Sequence, residues 1–299
     1  MTYRRTRNSP GLAAALFALA ALALAVAFAG STASAANKKK IVALTPFSAN
    51  ALAYSGVKPV AIGKQAAGHK AMSPKLKGIR RLALSHPNGP NMEEIAKIDP
   101  DVVLSSDAWA KGAQTMRDLA ITVRLLDPGT VNRVVPQIKK IGNAYGSRTA
   151  TAKYAKKVQR QIKFATSGRP IKKRPRVLAL LGVGRAPQAF MNDTWGASVI
   201  NAAGGKLITE GLSASGGFAR VSDEWIITQN PDVIVVVPHG NRQDLDSIGQ
   251  FYRSNPAWST LDAVKNDNVA IVGDDALLQP DTDVGNTIKR VRVKFLKNW

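Results

Sequence analysis

The sequence predicts an α/β fold of two similar lobes joined by a long, stiff helix, and three observations carry that reading. Short β-branched runs alternate with helical stretches along the chain after residue 36, the pattern of parallel sheets with helices packed on their faces. A helix–turn–strand unit occurs twice, as Met92-Glu93-Glu94-Ile95 leading to Asp99-Pro100-Asp101-Val102, and as Asp223-Glu224-Trp225-Ile226 leading to Asn230-Pro231-Asp232-Val233. Between the two copies lies a long basic stretch with helical spacing of its apolar residues.

In order, residues 1–35 read as a cleaved secretory signal peptide. Arg4, Arg5 and Arg7 precede an apolar run over 12–30, and Ala33-Ser34-Ala35 supplies the small residues of a cleavage site. An uncleaved anchor is the alternative, since the run is just long enough to span a bilayer. Removing this segment lowers the formal charge from +22 to +19, because it holds three Arg and no acid. The chain has no Cys, which excludes disulfides, thiolate metal sites, a Cys nucleophile and a lipid-modified N-terminal cysteine. A soluble periplasmic protein, secreted and not a lipoprotein, is expected.

The first lobe, residues 36–130, opens with a strand at 41–44, a turn at Thr45-Pro46, a helix over 49–56 and a strand at 60–63. A long loop over 64–90 holds His69 and His86 and is punctuated by Gly and Pro. In each copy of the repeat, Glu is followed by Ile at +2, Pro at +7, Asp at +8 and Val at +9. Proline cannot continue a helix, so the unit reads as a short helix stopped before a buried strand. The first repeat's strand ends at Asp107-Ala108-Trp109, and ligands bind at the carboxyl ends of strands in open parallel sheets.

Residues 131–168 read as the connecting helix. In it Tyr154, Ala155, Val158, Ile162 and Ala165 form an apolar stripe, and Lys153, Lys156, Lys157, Arg160 and Lys163 occupy the other faces. No Asp or Glu occurs between Pro128 and Asn192. This basic tract reads as a solvated face, with attraction of anionic ligands or lipids as the functional alternative; nucleic acid is not an expected partner.

The second lobe, residues 169–299, starts with a strand at 176–181. Gly182-Val183-Gly184 is not a dinucleotide fingerprint, because Pro187 replaces the third glycine and no helix opens there. The second repeat's strand ends at Pro238-His239-Gly240. A strand at 269–272 and a helix over 283–296 follow.

Taken together, IVALTPFSANALAYSGV, PNMEEIAKIDPDVVL, INAAGG, RVSDEWIITQNPDVIVV and NPAWSTLDAVKNDNVAIV resemble the class III substrate-binding proteins of ABC importers, receptors for ferric siderophores, haem, cobalamin and metal chelates. The resemblance implies two α/β lobes with parallel or mixed sheets, a rigid backbone helix and a ligand cleft between the lobes. It also implies an ABC permease as partner, docked through one Glu on each lobe; the motif places these at Glu93 and Glu224. No enzyme, no cofactor and a monomer are expected.

The ligand-binding candidates are His86, Trp109, Arg185, Trp195, Arg220 and His239. His239 follows a core strand, and His86 stands just before the first repeat. Trp109 and Trp195 suit a flat chelate, and Arg185 and Arg220 suit anionic oxygens. The favoured ligand is a ferric siderophore, with haem, cobalamin or a divalent metal such as nickel as alternatives. A bare metal would use His69, His86 and His239 with Asp274 or Asp275, and an extracytoplasmic metal-dependent enzyme is the minor alternative.

Overall fold

The computed structural model describes residue 1 and residues 39–64, 72–167, 173–214, 216–240, 243–273 and 275–296. Residues 2–35 of the signal segment, His69 and Asp274 therefore lie outside the described residues. No helix among the described residues is long and apolar enough to cross a membrane. Residues 40–299 form one compact unit.

The N-terminal half builds an all-parallel sheet from β1 (Ile41–Ala43), β2 (Ala61–Gly63), β3 (Arg80–Leu82), β6 (Val102–Ser105) and β7 (Val123–Leu125). Among the described residues its order is β3-β2-β1-β6-β7. The loop over 64–90 is more regular than its Gly and Pro content suggests. It supplies β3 and a hairpin of β4 (Leu84–Ser85) and β5 (Gly89–Pro90); β3 shows only one apolar residue in three, which hides it from an apolar-run criterion. Helices α1 (Pro46–Tyr54), α2 (Met92–Ile98) and α3 (Ala110–Asp118) belong to this half. Helix α1 starts earlier than expected because the Thr45 side chain caps it, accepting from Ser48 N, with Pro46 in the first turn.

Two helices follow, α4 (Val134–Tyr145) and the 19-residue α5 (Arg148–Thr166). The C-terminal half contains β8 (Arg176–Val183), β9 (Ala186–Phe190), β10 (Lys206–Leu207), β11 (Phe218–Arg220), β12 (Val233–His239) and β13 (Val269–Ile271). Its sheet is mixed: β8, β12 and β13 are parallel, while β9 runs antiparallel to both β8 and β11. The Gly184-Arg185 stretch is the turn of the β8–β9 hairpin, with Gly184 at φ +56°. Helices α6 (Trp195–Ala203), α7 (Asp223–Gln229), α8 (Leu245–Arg253), α9 (Asp262–Lys265) and α10 (Val284–Arg290) complete it, and a π-helical turn (Val291–Phe295) extends α10.

The two repeats correspond element by element. Each is a seven-residue helix, capped at its start by Asn91 or Ser222 and ended by a residue in the left-handed region, Asp99 (φ 49°) or Asn230 (φ 39°). The Asp after each Pro then clasps the beginning of the neighbouring strand. Asp101 accepts from Lys40 N at 2.6 Å and returns its own N–H to Lys40 O; Asp232 does the same with Arg176.

Alternation along the strands divides the core. Ile41, Ala43, Val102 and Leu104 face the same cluster as Val177, Ala179, Val233 and Val235, together with residues of α1, α4, α5, α6 and α10. One apolar core thus runs through the helical layer beneath both sheets, and each sheet has a separate cluster on its other face.

Candidate functional site

By the strand-end rule, the candidate site has two walls, at the carboxyl ends of β1, β6 and β7 and at those of β8, β12 and β13. On the first wall, His86 sits exposed in the turn of the β4–β5 hairpin. It meets Trp109 edge-on, with centroids 6.0 Å apart. Trp109 follows the end of β6 and is 9% exposed, packed in the core cluster on the outer face of the first sheet. Gly112 makes the arrangement possible: a Cβ there would lie 2.1 Å from Asn88 O, so only glycine lets α3 touch the hairpin turn.

On the second wall, His239 ends β12 in register with Val183, beside the hairpin that carries Arg185. His239 keeps exposed surface, yet its pKa is lowered, first by partial burial and then by the charge of His86. A lowered pKa keeps the His239 imidazole neutral, with a lone pair for a metal centre. Arg185 is exposed and lies over the Phe251 ring at 5.2 Å. Arg220, also exposed, stands on β11 opposite Gln188, toward the same end of the sheet.

Trp195 does not belong with these groups. It is 6% exposed within the shared core, and its indole N–H donates to Ala276 O at 3.0 Å. That is a packing position, so Trp195 is no ligand clamp. Tyr54 likewise packs, stacked on Tyr154 at 4.1 Å.

Between the walls the structure gathers acids that sequence reasoning passed over. Asp127, after β7, is surrounded by protein while still reached from the surface, and its pKa is pushed up to about 8. Burial is the main cause; the hydrogen bond from Thr45 Oγ1 (2.7 Å) opposes it, and Asp107 and Asp281 add to it. Asp281 comes from the loop after β13 and accepts from Asn50 Nδ2 at 3.0 Å, while Asn50 Oδ1 accepts from Ser73 N at 2.8 Å. Asn50 is fully buried in the middle of α1, so this bond ties the two halves together. The strand-end rule applied to Asp107 and Asp127 was the available signal. Among the described residues, no three His, Cys, Asp or Glu side chains converge to hold a metal ion.

Glu93 and Glu224 each occupy the second position of their helix and are exposed. In each copy the helix leads directly into a strand of the central sheet of its half, β6 or β12. Negative charge suits a helix N-terminus. The neighbouring Glu94 is engaged by Arg80 at 2.9 Å, which distinguishes it from Glu93.

Comparison with known proteins agrees with this architecture. The family described as periplasmic binding protein matches residues 41–276. A cobalamin-binding protein of Halobacterium salinarum is 24% identical over 263 residues, covering 86% of this chain and 69% of that protein. Among solved structures, an ABC transporter substrate-binding protein from Listeria monocytogenes EGD-e is similar, with a TM-score of 0.75 and 22% identity, over 88% of this chain and 100% of that one. Staphylococcus aureus IsdE complexed with heme has a TM-score of 0.70 and 19% identity, over 87% and 99%.

Proposed function

The chain belongs to the periplasmic binding protein family, and from that premise we propose that it captures a metal-centred macrocycle of the haem or cobalamin class and delivers it to the permease of an ABC importer. Membership makes it a binding protein rather than an enzyme. What supports the ligand class is the place of the two histidines in the fold, His86 in the turn of the β4–β5 hairpin and His239 at the end of β12, one on each half of the chain. Two imidazoles, one from each half, suit the two faces of a flat chelate whose metal accepts nitrogen ligands, and the buried Trp109 holds the His86 ring edge-on. The names of the cobalamin-binding and heme-bound relatives support the same class.

A ferric siderophore is the second reading, favoured by Arg185 and Arg220 at the same end of the C-terminal sheet, where guanidinium groups suit anionic oxygens. Glu93 and Glu224 are the proposed permease contacts, and the work is placed outside the cytoplasm.

Titration of residues 36–299 with haem, cobalamin, ferric catecholate, ferric hydroxamate and nickel, followed by Trp fluorescence and visible absorption, separates these readings. Tight binding of haem or cobalamin is expected, with His86→Ala and His239→Ala each altering the metal's absorption bands. A preference for the ferric chelates, with bands untouched by either substitution, refutes the macrocycle reading.

A further inference from the structure

Helix α5 carries a surface that ligand capture and hand-over leave unused. Lys153, Lys157, Arg160 and Phe164 follow one another at spacings of four, three and four, with Lys156 and Lys163 alongside. Residues so spaced share one helix face. The cations are all exposed and Phe164 is 72% exposed, while Thr151, Tyr154, Ala155, Val158 and Ala165 turn inward. The stripe from Lys153 to Phe164 is about 16 Å long at the usual helical rise. Exposed Lys139 and Lys140 on α4, which packs against α5, widen the positive field.

The fold brings Asp283 into the lining of a pocket that Lys157 also lines, at one edge of the stripe. Among the described residues these cations make no ion pair, whereas Lys40–Asp99, Arg80–Glu94 and Lys206–Glu210 do. The absence of any acid between Pro128 and Asn192 leaves the helix without an oppositely charged neighbour one turn away. Like charges at these spacings weaken a helix, and Arg148 in the first turn opposes the helix dipole. The arrangement therefore costs stability in isolation, and an external anionic surface would offset that cost.

Phe164 decides which surface. A merely solvated face gains nothing from an exposed ring in line with its cations. At a bilayer, cations lie against anionic headgroups and an aromatic side chain enters the headgroup layer. We infer that this face of α5 docks on an anionic phospholipid bilayer, with Phe164 inserted and Lys153, Lys156, Lys157, Arg160 and Lys163 against the headgroups.

The test uses residues 36–299, which contain the whole of the compact unit and lack the apolar run that would bind vesicles unaided. The protein is sedimented with phosphatidylcholine vesicles with and without phosphatidylglycerol. Binding to the anionic vesicles alone is expected, weakening as salt rises. The variant K153E/K156E/K157E/R160E should lose roughly tenfold or more in vesicle affinity. K58E/K77E/K97E/R117E, which reverses as many exposed cations elsewhere, should lose much less. Phe164→Ser should weaken vesicle binding and leave the binding of duplex DNA unchanged. Circular dichroism checks that each variant is folded. Equal losses in the two quadruple variants would reduce the effect to net charge and overturn the inference. So would vesicle binding indifferent to Phe164→Ser, or tighter binding of DNA than of anionic vesicles.

Discussion

Replacing Asp127 with Asn should make the protein more stable at neutral pH and leave it unchanged in acid. Burial, with help from Asp107 and Asp281, raises the Asp127 pKa from an ordinary 3.8 to about 8. The folded state thus holds a proton that the unfolded chain releases, so stability is full below the unfolded pKa and falls as pH rises from about 4 to about 8. At pH 7 the ceiling on this loss is about 4 kcal/mol; since the side chain opens onto solvent, screening brings the expected figure to about 1–2 kcal/mol. Asn is neutral, of the same shape, and keeps an oxygen to accept from Thr45 Oγ1. Urea denaturation of residues 36–299 and of the Asp127→Asn variant, run from pH 4 to pH 9, reads the difference. The variant's advantage should be near zero at pH 4, grow through neutrality and level off above pH 8. A constant offset at every pH, or a less stable variant at pH 8, would refute the argument.

Changing Glu93 and Glu224 together to Ala should leave ligand affinity within about twofold, because both are exposed and far from His86 and His239 in role, while lowering uptake by a transport assay roughly tenfold or more; unchanged uptake removes them from the permease contact. Gly112→Ala should push the hairpin turn away from α3, since the new Cβ would fall 2.1 Å from Asn88 O, costing about 1–3 kcal/mol and weakening ligand binding through His86. Wild-type affinity in that variant would show that the hairpin does not contact the ligand. Trp195→Phe loses the bond to Ala276 O and should cost about 1 kcal/mol in denaturation with ligand titration unaffected; a large loss of affinity would restore Trp195 to the cleft.

How far the sequence could be read depended on how local each feature is. The doubled unit was legible residue by residue because proline dictates where each helix stops, and the matching left-handed caps at Asp99 and Asn230 follow the same pattern. The task of Asp101 and Asp232 was not legible: their clasps reach Lys40 and Arg176, and the sequence names no partner so distant. His239 was found by its place after a core strand, whereas the setting of His86 was hidden in a loop whose strand, Arg80-Arg81-Leu82, lacks an apolar run. Trp195 was misplaced by the same kind of reasoning, because nearness to a strand end does not say which way a helix turns its first side chain. These acids come from two strand ends, Asp107 and Asp127, and from the loop before α10, Asp281, and no local window contains all three.

These connections bear on how capture would be communicated. Asn50–Asp281 and Val131 N–Ser198 Oγ, at 3.0 and 2.9 Å, cross between the halves, and a common apolar core runs beneath both sheets. At Gly142 a Cβ would lie 2.2 Å from Thr151 Oγ1, and at Gly285 one would lie 2.9 Å from the Gln161 backbone, so α5 is held closely by α4 on one side and α10 on the other. Opening the cleft widely would pull this core apart at a large hydrophobic cost, which favours small changes in lobe separation. Small changes still have a route to the rim. His239 ends β12, β12 pairs along its whole length with β8, and β8 begins at Arg176, where the Asp232 clasp meets the end of the unit that Glu224 starts. The corresponding unit in the other half joins Glu93, through Asp101, to Lys40 at the start of β1. A permease gripping both glutamates would therefore sense the spacing of two rigid bodies, each braced against the strands that end at the ligand.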